Sequence, residues 1–286
     1  YGIAGYWTTM AEKAGMIGIS GTNARPSVAP TFGVEPMMGT NPLTFTMPTD
    51  EAFPFNFDCA TSTIQNGKIE FYQRSGKPTP AGLVVTRDGS TATDSGKILQ
   101  DMRAGKCALL PLGGLGEETG GYKGYGFTAI VEILSAALCG GPFMKELSGK
   151  NPDGTNRMYR LGHFFFVINP EFFMGLETFK ETAGGICRGL RESAKAPGAE
   201  RIYTAGEKEY LAWQDRKDKG MAFDQKNVRM GGLIAEKKMK AVKSGNMMAF
   251  VQLEDLYGVT EVLVFPKTYE RVSAMLVPET AVLMQG

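Results

Sequence analysis

The pattern of the chain changes across residues 217–232, KDKGMAFDQKNVRMGG, and this change limits the possible folds more than any other feature. Before it, apolar residues recur at helical spacing between loops dense in Gly, Pro, Thr and Asn. After it, VRMGGLIAEKKMKAVKSGNMMAFVQLEDLYGVTEVLVFP reads as strand, basic turn, strand, a turn at Gly258 and strand, spaced like a small barrel. A chain of 286 residues could hold one large domain or two ordinary ones, and 43% hydrophobic residues with 10% aromatics is enough to build their cores. The expected division is a first domain over 1–220, a junction over 221–225 and a second domain over 226–286.

Within the first domain, Ile3, Tyr6, Met10 and Ala14 fall near helical spacing, and the apolar run Met16 to Ser20 suits a buried strand. FPFNFD, residues 53–58, alternates as a strand and delivers Asp58 at its end. The stretch from Cys59 to about Ser75 reads as a helix, which puts Asp58 at a strand-to-helix corner. Residues 77–110 read as loop with short strands. A glycine-rich loop then enters a helix whose apolar residues Phe127, Ile130, Val131, Leu134 and Leu138 share one face. GHFFFVINPEFF is a strand and turn, the following helical stretch is interrupted at Gly184-Gly185, and a charged helix ends at Gly220. The chain opens at Tyr1 inside a helical pattern, as a cut edge would.

Composition excludes several functions. With 31 basic and 30 acidic residues there is no global field for nucleic acid or an anionic membrane, although residues 226–286 tilt mildly basic. Cys59, Cys107, Cys139 and Cys187 stand singly, without metal-ligand spacing, as buried reduced thiols do. No run of about 20 apolar residues and no signal peptide is present, so the expected compartment is the cytoplasm.

Few residues offer chemistry. GGLGEETGGYKGYG is either a phosphate cradle, with backbone N–H groups, a helix N-terminus and Lys123 facing an anion, or a flexible turn. Asp58 is a candidate general acid or base, a ribose or substrate acceptor, or the N-cap of the helix after it. His163 is the sole histidine and sits at the mouth of an apolar strand, where a structural role competes with catalysis. Lys237, Lys238, Lys240 and Lys243 lie on one connection between strands, either tracking a phosphate backbone or forming a solvated hairpin.

Five ordered blocks, GISGTNARPSVAPTFGVEPMMGTNPLTFTMPTD, FDCATS, GGYKGYGFTAIVEILSAAL, GHFFFVINPE and PGAERIYTAGEKEY, together resemble the malate/L-lactate dehydrogenase family, which also includes ureidoglycolate dehydrogenases and cyclic imino-acid reductases. The resemblance covers about residues 1–220. It implies an α/β (α+β) fold unlike the Rossmann domain, built on a largely antiparallel mixed sheet with helices. It also implies a homodimer that binds NAD or NADP and moves hydride to or from C2 of a 2-hydroxy acid such as malate, L-lactate or ureidoglycolate. Matched residue by residue, it implies cofactor contacts at Asn23 and Ala24, at Asp58, Cys59 and Ala60, at Lys123 and at Gly198, with Asp58 also catalytic. The family's catalytic histidines match positions upstream of Tyr1, which implies little turnover by this chain, and His163 matches a common strand.

Residues 226–286, with MMAFVQLEDLYGVTEVLVFPKTYE as the specific core, resemble the OB-fold domain of the bacterial DNA polymerase III alpha subunit. This implies a small all-β OB barrel, partial because the chain stops before its last strands are complete, and a weak single-stranded DNA contact. The two resemblances share no pathway, so the junction is expected to join fragments of two genes.

Overall fold

The computed structural model describes residues 1–151, 153–220, 229–242, 245–255 and 258–285. It divides into two compact units, Tyr1–Gln214 and Asp215–Gly286.

The first unit is built on a four-stranded sheet of order β3-β2-β1-β6, from β1 (Ile17–Thr22), β2 (Leu43–Met47), β3 (Phe55–Cys59) and β6 (His163–Ile168). Every neighbouring pair is antiparallel. Helix α1 (Ala4–Lys13) lies against β1 and β2, and Gly18 permits it: a Cβ there would sit 2.6 Å from the Thr8 carbonyl oxygen. Thr8 Oγ1 meets Thr46 Oγ1 at 2.6 Å beneath the helix, so this interface is polar as well as close. Beside the sheet, α2 (Asn66–Arg74) and α3 (Ser95–Arg103) pack on the antiparallel pair β4 (Val84–Thr86) and β5 (Cys107–Leu109). Their core is Val28, Ile64, Ile69, Val84, Ile98, Leu99, Cys107 and Leu109, and burial there pushes the Cys107 thiol up to about 11. Helices α4 (Gly121–Ala137), α5 (Leu176–Glu192) and α6 (Glu207–Arg216) complete the order.

The structure corrects four of the sequence expectations. The helix expected from Cys59 begins only at Asn66, because Thr61 N bonds to Thr40 O and Thr63 N to Leu110 O, drawing residues 60–65 into an extended path. The loop expected over 77–110 contains α3, capped by Asp94, whose side chain accepts from Lys97 N. Helix α5 runs unbroken through Gly184-Gly185, and the glycine at 184 answers to packing, since a side chain there would collide with the Asp50 carboxylate. Finally, α4 turns its small and polar residues inward: Gly121, Gly124, Thr128, Val131, Glu132, Ser135 and Ala136 are buried, whereas Phe127, Ile130 and Leu138 are exposed.

The second unit is a four-stranded antiparallel sheet of order β10-β7-β8-β9. Its strands are β7 (Arg229–Ala241), β8 (Met247–Asp255), β9 (Gly258–Val264) and β10 (Ala281–Gln285), with α7 (Pro266–Val272) between β9 and β10. The 13-residue β7 serves both sides of the sheet. Its first residues pair with β10 and the remainder with β8, with a register shift between Ile234 and Glu236. Ile234, Ala249, Val251, Leu253, Val264 and Leu276 form the core. Lys237, Lys238 and Lys240 lie inside β7, paired with Val251, Phe250 and Met248, and not on a turn; Lys243 falls outside the described residues. Among the described residues no helix is long and apolar enough to cross a membrane.

Candidate functional site

Sheet register sets one row of side chains, Asp58, Thr44, Ser20 and Phe165, running from β3 to β6. Asp58 is occupied at both oxygens: Oδ1 accepts from Thr44 Oγ1 at 2.9 Å and Oδ2 from Gly5 N at 2.7 Å. Gly5 is in the first turn of α1, where N–H groups lack helical partners and a negative charge is favoured. Asp58 therefore caps α1, a helix 53 residues earlier, and Gln65 stands at the N-cap of α2. At the far end of the sheet, His163 Nδ1 lies 2.7 Å from Thr22 Oγ1, which donates its one hydrogen to a neighbouring carbonyl, Gly162 O or Asn23 O. The Tyr1 ring stacks on this imidazole at 4.4 Å while its hydroxyl meets Ser20 Oγ. Burial, with the nearby N-terminal amine second, holds the His163 pKa below its usual value.

A buried polar hub joins the loops at one end of the sheet. Asn41 is fully buried with a positive φ of 36°, a conformation asparagine tolerates. Its Nδ2 donates to Glu132 Oε2 at 2.7 Å and Thr128 O at 3.1 Å, and its Oδ1 accepts from Ala24 N at 3.1 Å. Glu132 Oε1 accepts from Met144 N at 2.8 Å. Thr61 Oγ1 donates to Asn41 O at 3.0 Å, and Thr128 Oγ1 reaches Thr61 Oγ1 at 2.9 Å. Gly39 makes the crossing possible, since a Cβ there would lie 2.6 Å from Ala24.

The glycine-rich loop folds back on the start of α4. At Gly121 and Gly124 a side chain would strike the backbones of Gly114 and Leu112, and Leu112 N in turn bonds to Thr61 O at 3.0 Å. These glycines are required by backbone-on-backbone packing. Lys123, on the first turn of α4, is exposed, and among the described residues it has no carboxylate partner; its Nζ lies 5.7 Å from the Tyr122 ring centre.

The structure thus brings together Ala24, Cys59, Ala60 and the turn bearing Lys123, through Asn41, Thr61, Thr128 and Leu112. Asn23 belongs to the same cluster, but its buried side chain faces inward, bonding Pro142 O at 3.1 Å and Gly162 N at 2.9 Å. Burial, then the Asp58 charge, raises the Cys59 thiol. Gly198 sits in a local turn with φ 81°, and no described hydrogen bond ties that turn to the cluster. Sequence reasoning missed Asn41, Thr61, Thr128 and Glu132; the signal was a small-to-polar stripe Gly124, Thr128, Glu132 at four-residue spacing within an apolar helix. Among the described residues no three His, Cys, Asp or Glu side chains could share a metal. An exposed lysine beside a helix N-terminus can hold an anion.

A family model described as malate/L-lactate dehydrogenase matches residues 1–230, past the boundary expected at 220 and across 221–225. The malate dehydrogenase of Pyrococcus horikoshii is 44% identical over 226 residues, 79% of this chain and 60% of its own. The L-sulfolactate dehydrogenase of Methanocaldococcus jannaschii is 36% identical over 226 residues, with the same coverages of 79% and 60%. In structure, malate dehydrogenase from Entamoeba histolytica superposes with a TM-score of 0.70 at 45% identity, covering 75% of this chain and 59% of that one. The chain spans about 60% of the length of the curated relatives it matches.

Proposed function

The chain belongs to the malate/L-lactate dehydrogenase family, and from that premise we propose that its first unit forms part of a nicotinamide-dependent 2-hydroxy-acid dehydrogenase. The single observation that carries this reading is the convergence on one hub of Ala24, the Cys59-Ala60 segment and the α4 turn bearing Lys123.

Lys123 and the first turn of α4 suit the anionic groups of NAD or NADP, because a lysine without a carboxylate partner among the described residues supplies positive charge beside a helix N-terminus. Asn23 and Ala24 contribute through atoms other than the Asn23 side chain and the Ala24 N–H, which have partners already. Cys59 and Ala60 would form the adjoining wall, and Gly198 would contribute a further contact from its exposed turn. When bound, the nicotinamide supplies hydride transfer at C2 of the substrate. Asp58 orients the reacting hydroxyl's proton path while fixing the start of α1, and Thr44 holds its carboxylate in place. Malate, L-lactate and ureidoglycolate are the substrate candidates, the working form is a cytoplasmic homodimer, and the exposed apolar stripe of α4 is available for that contact. Fluorescence titration with NADH and NADPH tests the reading: saturable binding of at least one supports it, and absence of binding by both refutes it.

A second reading concerns the second unit. A long bulged strand shared between β8 and β10, with a helix ahead of the fourth strand, is the connectivity of an OB-type barrel, which favours a single-strand-binding module. Lys237, Lys238 and Lys240 on β7, with Lys243, would supply phosphate contacts. On this reading the junction joins fragments of two genes. An oligonucleotide titration at rising salt decides the binding claim, because phosphate contacts weaken steeply with salt: no binding at low salt removes it.

A further inference from the structure

We infer that Glu132 is a positioning residue for cofactor binding, acting through the orientation of the Asn41 amide. This rests on the proposed nicotinamide site. Glu132 is 4% exposed on the inward face of α4, and no cation partners it among the described residues. Both its oxygens accept, one from Asn41 Nδ2 and the other from Met144 N. A carboxylate offers only acceptors here, and so does the Thr128 carbonyl that Asn41 also meets. Together they require the Asn41 amino group to face α4. Its oxygen then faces the opposite way, onto Ala24 N. The carboxylate thereby fixes, through one amide, a loop more than a hundred residues away in sequence.

The same amide fixes the loop's neighbours. The Asn41 carbonyl holds Thr61 beside Ala60, and the Glu132 helix carries Lys123 two and a half turns earlier. In E132Q, one acceptor becomes an NH₂ facing either Asn41 Nδ2 or Met144 N. If Asn41 flips to accommodate it, the Asn41 amino group meets Ala24 N–H and the loop loses its anchor. A buried amide with two donors face to face is costly enough to expel the loop from its position. Exchanging the two chemistries, E132Q with N41D, restores the polarity in part: the amide introduced on α4 donates to the carboxylate introduced on the loop, whose other oxygen accepts from Ala24 N, while the oxygen turned toward α4 also faces the Thr128 carbonyl, which it cannot bond.

The test combines amide hydrogen exchange with NADH titration on the full chain. In the wild type, Ala24 N–H and the Asn41 side-chain amino group are expected to be protected, a signature that needs no variant; free exchange at both overturns the proposal. E132Q is expected to speed Ala24 exchange at least about tenfold, with β1 amides unchanged, and to weaken NADH binding about tenfold; E132Q/N41D recovers part of both. Unchanged Ala24 exchange in E132Q overturns the orientation lock, and faster exchange with unaltered NADH affinity overturns the positioning role. If the wild type binds no NADH, the proposed site fails and the positioning role with it, while Ala24 exchange still reads the lock by itself.

Discussion

Gly124→Ala is expected to destabilise the first unit by about 2 kcal/mol or more and to weaken cofactor binding with it. A methyl group at this position would enter the Leu112 backbone, lying 2.7 Å from the Leu112 carbonyl carbon and nearer still to its oxygen and nitrogen. Neither side can yield by rotating a side chain, so the cost sits at the upper end of the roughly 1–3 kcal/mol typical of overpacking, or beyond. About 1 kcal/mol returns from improved helix propensity. Gly126→Ala, two residues along the same helix, meets nothing within 4 Å and is expected to stabilise by up to about 1 kcal/mol. Urea unfolding midpoints of the pair measure both; a Gly124→Ala midpoint at or above wild type contradicts the packing of the glycine loop on α4.

Glu207→Ala is expected to cost about 3 kcal/mol. Glu207 is 1% exposed at the start of α6, accepts from Thr204 N at 3.1 Å, pairs with Arg201 and lies 4.0 Å from Arg191. Arg191 also pairs with Glu51, which links α5 and α6 to the loop before β3. Removing one partner of a buried pair costs roughly 3–5 kcal/mol, and the lower end applies because the half-exposed Arg201 can turn to water. The remaining Thr204 N–H is then buried without an acceptor. Thermal and urea unfolding read the effect, and a change below about 1 kcal/mol contradicts a structural role for this carboxylate.

The sequence revealed elements whose cause is local. Alternation in FNFDC, the apolar run in HFFFVI, and the glycine loop leading into α4 announce β3, β6 and α4 from neighbouring residues alone. What it concealed depends on partners distant in the chain. Asp58 looks like a cap for the residues after it, yet its donor is Gly5. Thr61 and Thr63 look like the opening of a helix, yet their bonds run to residues 40 and 110. On α4 the apolar stripe misleads because the inward face packs against backbone and buried polar groups, where glycine, threonine and glutamate fit and phenylalanine does not. The link between Asn41 and Glu132 spans 91 residues, and no periodicity encodes it.

The central claim is that the first unit holds a nicotinamide cofactor at the Lys123 turn, and the most direct measurement is NADH affinity of the wild type against Lys123→Ala. Lys123 is exposed and takes part in no described packing core, so its loss removes charge without disturbing the fold. The account predicts saturable wild-type binding, weakened about tenfold by the substitution, or about 1.4 kcal/mol. Equal affinity in the two proteins, or no saturable binding by the wild type, would contradict it.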